Sequence, residues 1–297
     1  MQISKLIPWL LTSAILVVLL VWVISAIGGE PEEDASTKKG VQYIQMQEEK
    51  DPQQVIASLR GEPTAPTAPT QPNTDPSEST DGGDPTPGEN EDTAAAQREQ
   101  ERQALRTQIE NGEVDVWTLF DEYVILGDSR AVGFYYFDFL DKSRVLADGG
   151  HTIRNTPELM SEIVALNPKH IYLCYGLNDV SIGYWDTPEE YVEEFRTLIE
   201  SLRTELPNAT IVISSILPAR DPAFDLSSRW YHIPEFSAAV EEMCKEMGVA
   251  FANNDEISEI YGSQYWQPDG IHVRPEFYPY WATNLIIATM RGDAGDV

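Results

Sequence analysis

From Tyr123 onward the chain alternates short aliphatic runs with longer amphipathic stretches, and this alternation restricts the fold more than any other feature. The runs are Tyr123-Val124-Ile125-Leu126, Arg144-Val145-Leu146-Ala147, His170-Ile171-Tyr172-Leu173-Cys174-Tyr175, residues 209–216 and Val249-Ala250-Phe251-Ala252. Near-continuous hydrophobicity over about four to eight residues is the signature of a strand buried on both faces. Between the runs, residues 187–206 carry Tyr191, Phe195, Leu198, Ile199 and Leu202 at helical spacing, with Pro188 at a first-turn position. Residues 234–247 and 276–290 read as further helices. Strand and helix in alternation predict a five-stranded parallel sheet with helices on both faces. Residues 113–297 are enough for one such domain with a single substantial core.

Open sheets of this kind bind ligands at the C-terminal ends of their strands. There the sequence places Gly127-Asp128-Ser129-Arg130 after the first run, Asp148-Gly149-Gly150-His151-Thr152 after the second and Gly176-Leu177-Asn178-Asp179 after the third. A serine at a strand-to-helix turn offers a side-chain nucleophile, and its backbone N–H is one of the free donors of a helix N-terminus. A serine hydroxyl needs a base, and the base needs a third group to orient it. His272 and Asp269, three residues apart in the last loop, supply that pair. An isolated Asp-x-x-His arises often by chance, and Asp269-Gly270 is also a simple turn signal. The glycine and asparagine blocks strengthen the catalytic reading: a glycine lets backbone approach a substrate closely, and an asparagine amide is a second kind of oxyanion donor.

Taken in order, the four blocks resemble those of the SGNH hydrolases, also called GDSL-type esterases. The resemblance covers roughly residues 113–291 and nothing upstream. It implies a flavodoxin-like three-layer fold, Ser129 as nucleophile, His272 as base oriented by Asp269, and an oxyanion hole made by Ser129, Gly150 and Asn178. Two positions depart from the family pattern. Arg130 stands where a leucine usually follows the serine, and Ala147-Asp148 where an asparagine is common. Gly149 or Gly150 could be the oxyanion donor; Gly150 is chosen because Gly-His-Thr better matches the family's Gly-x-Thr. Arg130, His151, Asp179 and Trp230 are candidates to line a substrate site, although for Arg130 an ion pair with an acidic neighbour is the favoured reading. Trp230 belongs to a long loop, residues 218–233, whose aromatic side chains could stack on a sugar ring or pack the loop on the core.

Upstream of this domain, residues 6–27 are almost uninterruptedly apolar, long enough at about 1.5 Å per residue to cross a hydrocarbon core of about 30 Å. Lys5 precedes the run and Glu30-Pro31-Glu32-Glu33-Asp34 follow it, which orients the N-terminus to the cytoplasm and the rest outside. The competing reading is a signal peptide cleaved near Ala26 and Gly28. Residues 28–112, with their Pro-Thr repeats and acidic tract, read as a disordered stalk in which residues 41–59 and 93–109 have helix-compatible composition; the second segment could dock on the catalytic domain.

The formal charge of −29 falls mostly on residues from Glu113 onward and argues against nucleic-acid binding. Cys174 and Cys244 are expected as buried free thiols, and the four histidines lack the paired spacing of a zinc site. No metal or cofactor is expected, and no protein partner is readable from the sequence. The functional expectation is a single-pass, membrane-anchored extracellular serine esterase that removes an acyl group, such as acetyl, from an envelope or extracellular glycan. The same residues would serve an O-acyltransferase that hands the acyl group to a sugar hydroxyl. A non-catalytic glycan-binding module would require Ser129 and His272 to lie well beyond hydrogen-bond reach.

Overall fold

The computed structural model describes residues 87–297. The apolar run at residues 6–27, the Pro-Thr tract and the helix-compatible segment at 41–59 lie outside the described residues. Among the described residues, no helix is long and apolar enough to cross a membrane.

Five parallel strands form one sheet: β1 (Tyr123–Gly127), β2 (Val145–Ala147), β3 (His170–Cys174), β4 (Thr210–Ser214) and β5 (Ala250–Ala252), in the order β2-β1-β3-β4-β5. Each expected run coincides with a strand, β1 extending one residue beyond its run to Gly127. Val124, Ile125 and Leu126 have no exposed surface, as the two-sided burial of a central strand requires. At about 1.5–3 kcal/mol for each such side chain, this strand is a principal source of stability. The two sides of the sheet carry separate apolar clusters. Val124, Leu126, Ile171, Leu173, Ile211 and Ile213 face one, and Ile125, Tyr172, Cys174 and Val212 face the other.

Helices cover both faces. α1 (Pro87–Glu110) precedes the sheet, and α2 (Ser129–Tyr136), α3 (Thr156–Leu166), α4 (Leu177–Ile182) and α5 (Pro188–Glu205) follow strands β1 to β3. α6 (Ile233–Met247), α7 (Asp255–Tyr265) and α8 (Tyr278–Ala294) complete the chain. Tyr191, Phe195, Leu198, Ile199 and Leu202 of α5 are all buried, and the Thr187 side chain caps its N-terminus by accepting from the Glu190 N–H. The sheet order reverses between β1 and β3: β2 lies on one side of β1, whereas β3 to β5 extend on the other. That switch opens a crevice at the strands' C-terminal ends, into which the turns after β1 and β3 deliver Ser129 and Asn178.

The folded unit begins upstream of Glu113, where the sequence reading placed its boundary. α1 lacks a wide apolar stripe, and ion pairs hold it instead. Arg98 forms a two-bond fork with the Asp296 carboxylate at 2.6 and 2.7 Å, Arg102 pairs with the same carboxylate, and Arg291 lies 3.3 Å from Glu99. Leu105 and Ile109 add apolar contact with the cluster on that side. Asp293 at the same end of α8 meets His170 and Thr210, the first residues of β3 and β4. These pairs therefore gather at the N-terminal edge of the sheet, opposite the switch-point crevice. Arg102→Ala is expected to lower the melting temperature by about 2–6 °C while turnover stays within about twofold. Thermal unfolding of the full chain alongside an ester assay checks both.

Candidate active site

The site starts at Asp128, the residue that ends the first strand's turn. Its backbone is extended (φ −91°, ψ −168°), and its Oδ1 accepts from the Arg130 N–H at 3.0 Å, which makes it the N-cap of α2. Ser129 is thereby fixed as the first helical residue, with its N–H among those lacking an intrahelical acceptor. The second carboxylate oxygen of Asp128 accepts from the Leu177 N–H at 3.2 Å. One buried side chain thus ties the serine turn to the asparagine turn.

His272 arrives from the opposite direction, in the loop between α7 and α8. Trp266 and Val273 form an antiparallel bridge, and the Gln267 N–H donates to the His272 carbonyl at 2.8 Å. The intervening turn needs a left-handed residue, which Gly270 supplies at φ +73°. Asp269 Oδ1 accepts from the backbone N–H groups of Ile271 (2.8 Å) and His272 (3.0 Å), leaving Oδ2 for the imidazole. His272 Nδ1 lies 2.8 Å from Asp269 Oδ2, and His272 Nε2 lies 3.0 Å from Ser129 Oγ. Burial alone would raise the Asp269 pKa, but the His272 hydrogen bond and charge together with the two N–H groups hold it below the ordinary carboxylate range.

The two other blocks converge on the same point. Gly150 adopts φ +70°, whereas the neighbouring Gly149 N–H is engaged by Asp148 Oδ1 at 2.8 Å. Asn178 is buried, and one hydrogen of its amide goes to the His151 carbonyl at 3.0 Å. An amide nitrogen has two donors, so this bond fixes the orientation of the second.

Asp179 binds these two turns together. Its Oδ1 accepts from the Ile153 N–H at 3.0 Å and its Oδ2 from the Gly176 N–H at 2.9 Å. Complete burial pushes its pKa up to about 7 against the pull of those N–H groups, and nearby Asp128 acts in the same direction as burial.

Burial removes three of the four expected lining residues from any surface a substrate can reach. Arg130 is 2% exposed; its guanidinium donates to the Leu217 carbonyl at 2.6 Å and lies 3.8 Å from Asp128 Oδ1. The alternative of an ion pair with an acidic neighbour is what the structure contains. Asp179 has no exposed surface, and Trp230 is buried with its indole N–H on the Leu177 carbonyl at 2.9 Å. His151 is half-buried, and its Nδ1 has no hydrogen-bond partner among the described residues. Cys174 and Cys244 are buried free thiols. The role of Asp128 escaped the sequence reading, although an aspartate immediately before a helix-initiating serine is an N-cap signal.

Asp179→Asn tests the tie between turns. An asparagine has one acceptor oxygen for two N–H donors, so the variant is expected to lose about 1–3 kcal/mol at low pH. Because the wild-type carboxyl titrates at about 7 in the folded chain against 3.8 ordinarily, its contribution is complete below the lower value. That contribution fades as pH rises through the higher one. The stability gap between wild type and variant should therefore narrow between pH 4 and 7, as read from denaturant titrations; a widening gap would contradict the assignment.

Comparison with known proteins agrees with the four blocks. Among curated proteins none matches the sequence. Solved structures of similar shape include a GDSL-like lipase from Bacteroides thetaiotaomicron (18% identity, 63% of this chain and 96% of that one, TM-score 0.48). A lipase/acylhydrolase from Enterococcus faecalis is similar over 58% of this chain and 96% of its own, at 16% identity and TM-score 0.47. The C-terminal catalytic domain of peptidoglycan O-acetyltransferase A from Streptococcus pneumoniae is similar at 15% identity and TM-score 0.40, over 59% of this chain and 92% of that one. Residues 125–278, which take in strands β2 to β5, most of β1, all four blocks and the Ser129–His272 contact, match the sequence profile of the GDSL-like lipase/acylhydrolase family, so the chain belongs to that family and is a serine hydrolase of ester bonds.

Proposed function

We propose that the protein is a membrane-anchored, extracytoplasmic esterase that removes a small acyl group, such as acetyl, from an envelope or extracellular glycan through Ser129, His272 and Asp269. The observation that carries the mechanism is the unbroken run of contacts from Asp269 Oδ2 through both ring nitrogens of His272 to Ser129 Oγ, at 2.8 and 3.0 Å. His272 takes the hydroxyl proton as Ser129 Oγ attacks the ester carbonyl. The Ser129 and Gly150 N–H groups and the second Asn178 amide hydrogen receive the negative charge that develops on the carbonyl oxygen. Collapse expels the alcohol, protonated by His272, and leaves an acyl-serine. Water deprotonated by His272 then releases the acid. Asp269 remains ionised throughout and holds the imidazole in the tautomer the reaction needs.

Solvent access at the site supports hydrolysis over acyl transfer: the His272 side chain is 17% exposed and Ser129 is partly exposed, so water reaches the acyl-serine. The 3.0 Å contact between Ser129 and His272 does not meet the condition for a non-catalytic module. A glycan substrate draws support from the loop after β4, where Tyr231 is 62% exposed and stacks face to face on Phe224 at 4.0 Å. A ring so held presents a flat apolar surface suited to a sugar. The location outside the membrane rests on the apolar run at 6–27, on Lys5 and on the acidic, Pro-Thr-rich tract that follows.

The test uses the full-length chain with a small acetyl ester and then an active-site serine phosphonate, followed by mass spectrometry. Hydrolysis with the label on Ser129 is the expected result. Ser129→Ala should lose essentially all turnover, and Asp269→Asn should lower kcat by on the order of 10³–10⁴ by leaving the imidazole in the wrong tautomer. Because the Asp269 pKa is lowered, its charge persists as pH falls past the ordinary carboxylate range. The acid limb of kcat/KM should therefore show a single ionisation, and a limb of slope two would contradict the arrangement. Incubation with acceptor glycans reads out transfer directly.

A further inference from the structure

We infer that Arg220 is a positioning residue for the catalytic hairpin, acting through Asp269 and His272, an inference that rests on the triad proposed above. Sheet order alone does not bring His272 to Ser129. The hairpin that carries it follows β5 and α7, whereas Ser129 follows β1, three strands away. The contact needs a brace, and the loop after β4 provides it at three points.

The first two are bonds from that loop to the hairpin. The Arg220 N–H donates to the Gly270 carbonyl at 2.8 Å, and the Trp266 indole N–H donates to the Pro218 carbonyl at 3.2 Å. The third is the Arg220 side chain. Its guanidinium lies over the Trp266 ring at 4.8 Å and donates to the Ser258 carbonyl on α7. It thus wedges between α7 and the first residue of the hairpin's bridge.

Two glycines are fitted to this wedge. A Cβ at Gly262 of α7 would overlap the guanidinium, and a Cβ at Gly270 would overlap the Arg220 carbonyl oxygen. Gly270 stands beside Asp269 and two residues before His272, so a shift of Arg220 moves the carboxylate and the imidazole together. A displacement of about 1 Å at such a group is enough to lower a rate about 100-fold. The guanidinium's partners are the Ser258 carbonyl and the Trp266 ring, not Ser129 or the triad itself, which separates this role from direct catalysis.

The test is the phosphonate inactivation rate of full-length variants, which reports activation of Ser129, together with kcat and KM on the acetyl ester. Arg220→Ala is expected to slow inactivation and kcat by about 10–100-fold and to leave KM within about threefold. Arg220→Met keeps the stem against Trp266 and serves where the alanine variant does not fold. Gly262→Ala, which displaces the guanidinium from the α7 side, should give the same kinetic signature. In an Asp269→Asn background the Arg220 substitution should add less than about threefold, because the path it acts through is already broken. Equal losses in both backgrounds, or wild-type rates in the variants, overturn the role of Arg220 while leaving the triad intact. Absence of label on Ser129 in the wild type overturns the triad and the role of Arg220 with it.

Discussion

The site depends on two buried carboxylates whose acceptors are filled by the backbone of other loops. A carboxylate removed from water is strongly destabilising unless its oxygens are hydrogen-bonded. Asp128 meets that requirement with the N–H groups of Arg130 and Leu177, and Asp179 with those of Ile153 and Gly176. Each side chain joins two turns, so the serine, asparagine and glycine turns cannot move independently without exposing an unsatisfied charge or N–H. Strand register prepares this coupling: Gly127 pairs with Ala147 on one side and with Cys174 on the other, which brings all three turns to one edge. The residues proposed as oxyanion donors are therefore placed by the sheet and locked by the carboxylates.

His272, the proposed base, is placed by a different principle. Three inter-strand steps of about 4.8 Å separate β5 from β1, so the histidine has to be carried back by a projecting hairpin rather than by a strand end. The hairpin's backbone pairs and the bonds to Pro218 and Arg220 replace the sheet as its scaffold. Two halves of one constellation consequently rest on separate supports, and the Ser129–His272 contact at 3.0 Å is where they meet. The cross-strut from Arg130 to the Leu217 carbonyl links them again below the site, since Leu217 opens the loop that braces the hairpin.

Much of this was legible in the sequence wherever the determinant is local. Strands β1 and β3 and helix α5 follow from runs and spacing, and the four blocks sit at strand ends or in one loop. What depends on tertiary burial was not legible. Nothing local to Arg130, Asp179 or Trp230 says that each is enclosed, and a polar or aromatic residue beside a catalytic motif reads as readily as a substrate contact. α7 was not among the helices read from the sequence, and its Gly262 leaves room for the Arg220 guanidinium, a partner distant in sequence. Docking of residues 93–109 was read as one alternative, but what holds α1 was not, because it relies on arginines meeting Asp296 at the far end of the chain rather than on an apolar stripe. Gly150 was chosen over Gly149 from its Gly-His-Thr context, whereas the bond that occupies the Gly149 N–H, to Asp148, is displayed only by the coordinates.

The distribution of positive charge follows from the same construction. The chain has 20 lysines and arginines against 49 aspartates and glutamates, and several of the arginines are committed to structural roles. Arg98 and Arg102 hold α1, Arg130 lies beneath the serine turn, and Arg220 braces the hairpin. Arg154 is gripped by Glu194 between the rings of Tyr184 and Trp185. With these cations paired to carboxylates or wholly or partly buried, the outer field is left to the remaining carboxylates, and such a field disfavours anionic ligands. In the proposed mechanism an oxyanion formed in this setting relies on N–H dipoles, which stabilise charge where it develops and do not attract anions from solution. That combination is in keeping with the proposal of an uncharged ester as substrate.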